Sequence, residues 1–343
     1  MILGTGAIAR KVAPQIVRAG GCTLVGAASR ERSRARSMCD DLSLPLALTS
    51  DELLSGTAQA GDYDAVYITT PNRQHVEQAA ALLARGVHVL CEKPLCWRRR
   101  QAEDLFAIAA RTGAVLVEGF MYLHHPQTAE LARIARDEAG PIGRLRRVEV
   151  FFETDMRSSG RISTRYSHEL AGGAIMDIGC YPISFIRSMT RHRIADNGAN
   201  IRMIEHIIAE PIEGETRGVD DVVVAQGRTA DGTEFFFSAR MDGPGKKEVR
   251  LIGESDTAWT DWPWSPPAER AVVTIDRSAA HPRGSGREEL VIEAGGLTFV
   301  NQFAAFAAAV RGEQMPHPSP AWSIAQAADI EALLAMIGID FGT

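Results

Sequence analysis

The chain has 343 residues, of which 45% are hydrophobic and 23% charged, with a formal net charge of −6 and a pI near 5.9. That length predicts two domains, and an acidic balance without an aromatic-basic stripe excludes an ordinary nucleic-acid binder. No signal peptide precedes the first glycine loop, and no apolar run approaches the roughly eighteen residues a membrane span needs, so no membrane partner is expected.

The first element is a short strand, Ile2-Leu3, followed by Gly4-Thr5-Gly6-Ala7-Ile8-Ala9. A parallel strand normally runs about five or six residues, so the expectation is that the natural start lies upstream. Lys11 to Arg18 has helical spacing, Gly20-Gly21 ends it, and Thr23 to Ala28 reads as a second strand. The glycine loop thus sits in a βαβ unit as a G-x-G-x-x-A element. Gly4 makes the turn, Gly6 admits a pyrophosphate, and Ala9 allows close packing, while the helix N-terminus supplies positive potential. Where a chain selecting NAD places an acid on the ribose, this one has Ser29-Arg30-Glu31-Arg32. Ser29 and Arg30 suit a 2′-phosphate, which favours NADP; the competing reading makes Arg30, Arg32, Arg34 and Arg36 a solvated helix start.

A short helix from Asp51 to Leu54 precedes a buried strand, Ala65 to Ile68, which ends in Thr69-Thr70-Pro71-Asn72 with His75 one turn further on. Gln74 to Ala84 is a helix closed by Gly86. The run Val87 to Cys91 reads as a strand that stops at Glu92-Lys93-Pro94, because Pro94 cannot donate to a ladder. Lys93 therefore falls at the carboxyl edge of a parallel sheet, where ligands bind. A helix from Arg99 to Ala110 and a strand from Ala114 to Val117 complete a doubly wound domain over residues 1–120.

Residues 121–343 differ in character. Val148–Phe152, Val222–Gly227, Glu234–Arg240 and Glu248–Leu251 are strand-like, and Asp231-Gly232 signals a hairpin, so an open, largely antiparallel sheet is expected. Helices are expected at Phe299–Val310 and Ser323–Met336, with loops at Gly243-Pro244-Gly245 and Trp262–Pro267. Gly172-Gly173 opens a helix on which Asp177 and Tyr181, four residues apart, share a face. Together with Lys93 they make a proton-handling triad. The five cysteines, Cys22, Cys39, Cys91, Cys96 and Cys180, are odd in number and scattered, which predicts reduced thiols and a cytoplasmic protein. The histidines show no metal-binding spacing with a carboxylate, so no metal is expected.

Taken together, Gly4 to Ala9, Thr70-Pro71-Asn72 with His75, Glu92-Lys93-Pro94, and Gly172-Gly173 to Asp177-x-Gly179-x-Tyr181 resemble the glucose–fructose oxidoreductase/inositol dehydrogenase/rhizopine-catabolism (Gfo/Idh/MocA) family. The resemblance implies a Rossmann domain followed by an α/β domain whose open sheet face forms a dimer interface. It also implies NADP or NAD and hydride transfer with a sugar, cyclitol or diol. The nucleotide-contacting residues it implies are Gly4, Thr5, Gly6, Ala7, Ile8, Ser29, Arg30, Thr70, Pro71, Asn72, His75, Glu92 and Lys93. Catalysis is assigned to Lys93, Tyr181 and Asp177. Tyr181 stands where inositol-type members carry His, which is similar to the aldose and dihydrodiol dehydrogenase branch. Arg165 matches an arginine of that branch, with a surface role equally open. Leu123 and Ala174 depart from the family pattern at an expected Arg and an expected Gly.

The expectation is an NADP-preferring oxidoreductase forming a homodimer or tetramer. The alternatives are a non-catalytic nucleotide sensor and an NAD-dependent glycoside hydrolase on the same scaffold.

Overall fold

Short apolar runs alternating with helical stretches produce a parallel sheet in the computed structural model, which describes residues 1–57, 63–158, 162–196, 200–277, 286–293 and 295–342. The strands are β1 (Ile2–Leu3), β2 (Gly26–Ser29), β3 (Leu46–Thr49), β4 (Ala65–Ile68), β5 (His88–Glu92) and β6 (Leu116–Gly119). Their order is β3-β2-β1-β4-β5-β6, and every adjacent pair is parallel. The order reverses between β1 and β4, the position at which doubly wound sheets open a crevice. Intervening helices are α1 (Ala7–Arg18), α2 (Arg32–Leu42), α3 (Ser50–Ser55), α4 (His75–Ala84) and α5 (Arg99–Thr112). The core is aliphatic, with Leu3, Val66, Ile68, Leu82, Leu83, Val89 and Leu105 at most 1% exposed. A capping box at Thr49 and Glu52 starts α3.

Strand β3 had no counterpart among the expected elements, and α2 only the competing reading of the arginine run as a helix start. The Arg30 to Arg36 run is therefore partly a helix face, because α2 begins at Arg32. Ser29 closes β2 and Arg30 lies just outside it.

The second sheet has eight strands, twice the expected number of runs. They are β7 (Leu145–Glu153), β8 (Asn200–Ile208), β9 (Asp220–Arg228), β10 (Glu234–Arg240), β11 (Lys247–Gly253), β12 (Thr257–Thr260), β13 (Arg270–Arg277) and β14 (Gly286–Glu293). The order is β14-β13-β12-β11-β7-β10-β9-β8, antiparallel except for the β7–β10 pair. The Asp231-Gly232 hairpin joins β9 to β10. Edge strands β8 and β14 are mostly exposed and so lack the continuous apolar pattern that marks a buried strand. Helices of this unit are α6 (Pro126–Arg136), α7 (Ile162–Arg165) and α8 (Cys180–Thr190), with a π-helical turn at Ile175–Gly179 leading into α8. Along β7, Val148 and Val150 are buried, whereas Arg147, Glu149 and Phe151 at the alternate positions are only partly so. The less buried face is mixed, not simply apolar: Phe151 packs on Phe236 at 5.5 Å beside ion pairs such as Arg147–Glu149 and Arg250–Glu248.

Two further helices, α9 (Thr298–Val310) and α10 (Pro320–Met336), correct the expected boundary. The first unit comprises Met1–Met121 and also Phe299–Ala327; the second comprises Tyr122–Thr298 and Ala328–Thr343. Assigning all of 121–343 to the second domain was wrong for 299–327. The physical reason is that α9 is apolar on most sides, with Phe299, Phe303 and Phe306 all buried, and Phe303 meets Tyr67 of β4 edge-on at 5.1 Å. In the second unit, buried Asp329 of α10 accepts from Arg193 Nε at 3.0 Å and from the Ala195 amide at 3.2 Å.

Phe303→Ala should destabilise the protein by about 3–5 kcal/mol in urea unfolding, the usual cost of emptying an aromatic site in a packed core. A change below about 0.5 kcal/mol, the range of exposed surface positions, would contradict the placement of α9 in the first unit.

Candidate active site

The glycine loop builds an anion-binding corner. Gly4 has φ +109°, a conformation other residues rarely adopt, and a side chain there would lie 2.5 Å from Thr69 Oγ1. This close approach brings the ends of β1 and β4 together, and Thr69 Oγ1 donates to the Leu3 carbonyl at 2.9 Å. Gly6 is the N-cap of α1; no side chain caps the helix and no acid sits in its first turn. The first amides therefore keep their hydrogen-bonding capacity, backed by the helix dipole. A Cβ built on Gly6 meets nothing within 4 Å, so there is room in front of these amides. A nucleotide pyrophosphate fits this cradle.

Ser29 and Thr5 converge loosely, with Thr5 Oγ1 3.5 Å from Ser29 Oγ. Arg30 is exposed and has no ion-pair partner among the described residues. Arg32, by contrast, is committed to the Ala47 carbonyl at 3.1 Å and to Glu52. Of these two arginines, only Arg32 is engaged within the described residues.

The same sheet edge carries Lys93. Glu92 is 9% exposed, accepts from the Tyr67 hydroxyl, and accepts from the Lys93 amide at 3.2 Å. The Lys93–Pro94 peptide is cis. His75 is 0% exposed, with Nδ1 2.9 Å from the Pro94 carbonyl and Nε2 2.9 Å from the Thr70 carbonyl. Burial pushes its pKa down, and the Lys93 ammonium adds to the effect. Both nitrogens face backbone carbonyls, and the neutral ring donates its single N–H to one of them, which packs it between the Thr70-Pro71-Asn72 loop and the Lys93 turn. Thr70 Oγ1 donates to Gln78 Oε1 at 2.6 Å, which fixes the same loop from α4.

In the second unit, Asp177 and Tyr181 lie at the start of the segment that becomes α8. Asp177 falls within the π-helical turn, where the backbone pairs i to i+5, a widening frequent at functional sites. Arg165 Nε donates to Asp177 Oδ2 at 2.5 Å, and the Arg165 carbonyl accepts from the Gly173 amide at 2.8 Å. Arg165 thus grips both the turn and the carboxylate, which decides against a surface role. Tyr181 is 6% exposed and lies among rings: Trp264 at 5.1 Å, Phe152 at 5.3 Å and Tyr122 at 5.9 Å.

Several contributors carried little sequence signal. Tyr67 read only as a buried strand residue. Trp264 lies in a stretch that reads as a loop, yet it is 3% exposed and packs on Tyr181. Asp220 and Asp221 precede the apolar run that marked their strand; two adjacent acids at a strand's entry were the available hint. A cavity of 380 Å³ lined by Met1, Cys22, Tyr63, Phe303 and Arg311 lies at the amino side of the first sheet, away from the glycine loop. Among the described residues no helix is long and apolar enough to cross a membrane, and no group of three or more His, Cys, Asp or Glu could hold a metal ion.

Residues 1–120 match the family model described as "Oxidoreductase family, NAD-binding Rossmann fold", and residues 135–258 match that of the "GFO/IDH/MocA C-terminal domain". The chain is 31% identical over 276 residues to a dTDP-3,4-didehydro-2,6-dideoxy-alpha-D-glucose 3-reductase of Actinomadura kijaniata, covering 79% of this chain and 76% of that protein. It is 36% identical over 187 residues to D-xylose 1-dehydrogenase (NADP(+)) 2 of Haloferax volcanii, and spans about half of that relative's length, 55%. Among solved structures, a 3-ketoreductase from Actinomadura kijaniata with NADP and TDP-benzene superimposes with a TM-score of 0.82 at 28% identity, covering 96% of this chain and 95% of that one.

Proposed function

The chain belongs to the Gfo/Idh/MocA family of NAD(P)-dependent oxidoreductases, and from that premise we propose that it transfers a hydride between NADP and a secondary alcohol, hemiacetal or carbonyl of a sugar, cyclitol or diol. One observation carries the reading: Lys93 is held at the carboxyl end of β5, the same sheet edge as the uncapped amino end of α1. NADP is favoured over NAD because Arg30 stands exposed and without an acidic partner among the described residues, in place of a carboxylate on the ribose. The names of the xylose dehydrogenase and of the 3-ketoreductase complex, both carrying NADP, support that preference.

When bound, the nicotinamide supplies the hydride acceptor or donor. In oxidation the Tyr181 phenolate, stabilised beforehand by the Lys93 ammonium, takes the proton of the substrate hydroxyl and becomes the phenol; in reduction the phenol gives that proton to the substrate oxygen and the phenolate re-forms beside Lys93. Asp177, oriented by Arg165, accepts from a neighbouring substrate hydroxyl. Glu92, Tyr67 and His75 hold the backbone from which Lys93 extends. Assembly belongs to the same reading: the Phe151–Phe236 pair and the exposed Ile204, Ile207 and Ile208 of β8 support a homodimer or a tetramer of dimers.

Arg30→Ala should narrow the NADP preference by roughly tenfold or more in equilibrium titration, the effect of losing one charge-assisted phosphate contact. Equal affinity of the unaltered protein for both cofactors would remove the idea. Light scattering should report a dimer or tetramer at micromolar concentration, and a stable monomer would count against the assembly. Lys93→Met and Tyr181→Phe should each lower turnover by about 10² to 10⁴ with cofactor affinity nearly unchanged. The double variant should be scarcely worse than the worse single one, since groups acting as a unit are non-additive. Near-normal turnover of Lys93→Met with an intact fold would sink the relay.

A further inference from the structure

Strand β9 opens with two buried carboxylates that the reaction above does not use, Asp220 at 0% and Asp221 at 2% exposure. Asp220 Oδ2 accepts from the Ile175 amide at 2.6 Å, at the start of the segment carrying Asp177 and Tyr181. Its other oxygen, Oδ1, is buried and makes no hydrogen bond to another of the described residues. Gly173, at φ +105°, presses on that same atom: a Cβ there would lie 2.1 Å from Asp220 Oδ1. Asp221 holds the opposite side, accepting from Arg157 Nη2 at 2.6 Å and from the Tyr166 hydroxyl at 2.7 Å. Tyr166 adjoins Arg165, whose carbonyl accepts from the Gly173 amide and whose guanidinium binds Asp177. The turn is therefore gripped from both sides by one strand end.

A neutral amide side chain could accept from Ile175 without burying a charge, and a carboxylate with an orphan oxygen is a costly way to make one bond. We propose that Asp220 is a positioning residue: in its ionised form it fixes the Gly172-Gly173 turn and, through Ile175, sets Asp177 and Tyr181 for the reaction. The inference rests on the reading of Asp177 and Tyr181 as site residues. Desolvation raises the Asp220 pKa to about 7, opposed by the Ile175 amide and by its own backbone amide and increased by the charge of Asp221. The charged and titratable groups on the surrounding elements are Asp221 with Arg157 and Tyr166, and Asp177 with Arg165. Above neutral pH the tie to Ile175 is charge-assisted; below it, the bond is an ordinary one.

The sign of the stability effect follows from the folded carboxyl having a higher pKa than its ordinary value of 3.8. Its contribution to stability is present at low pH and is lost as pH rises from the ordinary value through the folded one. Asp220→Asn is neutral throughout, so its Tm relative to the unaltered protein should climb as pH rises through that window. In the same variant, hydrogen exchange over residues 173–181 should quicken above neutral pH, where the charge-assisted bond is missing. With a polyol or sugar that is turned over, kcat should fall about three- to tenfold above neutral pH and converge with the unaltered protein below it, with the cofactor KM unchanged. Asp220→Ala, which removes the acceptor altogether, should quicken exchange further; if it fails to fold, Asp220→Asn still decides.

A Tm difference independent of pH, or unchanged exchange over 173–181, overturns the proposal. So does an unaltered kcat and pH profile in Asp220→Asn when Tyr181→Phe abolishes turnover. If Tyr181→Phe is equally harmless, or no sugar or polyol is turned over, the functional reading has failed instead. The exchange and melting results then still judge Asp220.

Discussion

Parallel pairing of β1, β4 and β5 is the constraint on which the rest depends. Strands that run the same way must deliver their carboxyl ends to one edge, whatever their sequences. That edge receives the glycine loop from β1, the Thr70-Pro71-Asn72 loop from β4 and the Lys93 turn from β5. Local contacts then lock them to each other: Gly4 against Thr69, Thr69 onto Leu3, and His75 between Thr70 and Pro94. Each buried bond contributes only about 0.5–1.5 kcal/mol net, but leaving one of these carbonyls or side chains unpaired costs about 1–3 kcal/mol. The loops are therefore held mainly by the penalty for letting go, which suits a site that must present fixed amides to a charged ligand.

The second unit reaches a similar end by different means. Asp177 and Tyr181, the residues proposed for the reaction, sit where a turn becomes a π-helical and then an α-helical segment, so their placement depends on how that start is anchored. Asp220 and Arg165 supply the anchoring from a strand end and a short helix. Rings supply the packing around Tyr181, with Trp264 stacked on Phe152 at 5.5 Å while also touching Tyr181. Aromatic pairs of this kind add about 0.5–1.5 kcal/mol beyond the area they bury, enough to discourage alternative rotamers of the tyrosine.

Much of this was legible in the sequence because its determinants are short-range. Gly4 to Ala9 and Glu92-Lys93-Pro94 are runs of adjacent residues whose backbone requirements are local, and Asp177 and Tyr181 are one helical turn apart. His75 was legible as a residue of interest, but its contacts with the Thr70 and Pro94 carbonyls were not, since they depend on burial and on a neighbouring strand's turn. Trp264 and Asp220 were not legible: each meets its partner through a tertiary contact, Trp264 reaching back more than eighty residues to Tyr181. Helix α9 looked like any apolar helix, and nothing in its own pattern shows that it packs on Tyr67 of β4. The edge strands β8 and β14 escaped because exposed strands carry polar residues on both faces.

The most direct measurement of the central claim is a panel of aldoses, inositols and diols incubated with NADP and with NAD, following absorbance of the reduced nicotinamide. The account predicts net reduction with at least one polyol or aldose, faster with NADP. Nucleotide binding without turnover of any of them, or cleavage of an aryl glycoside without net reduction, would contradict it.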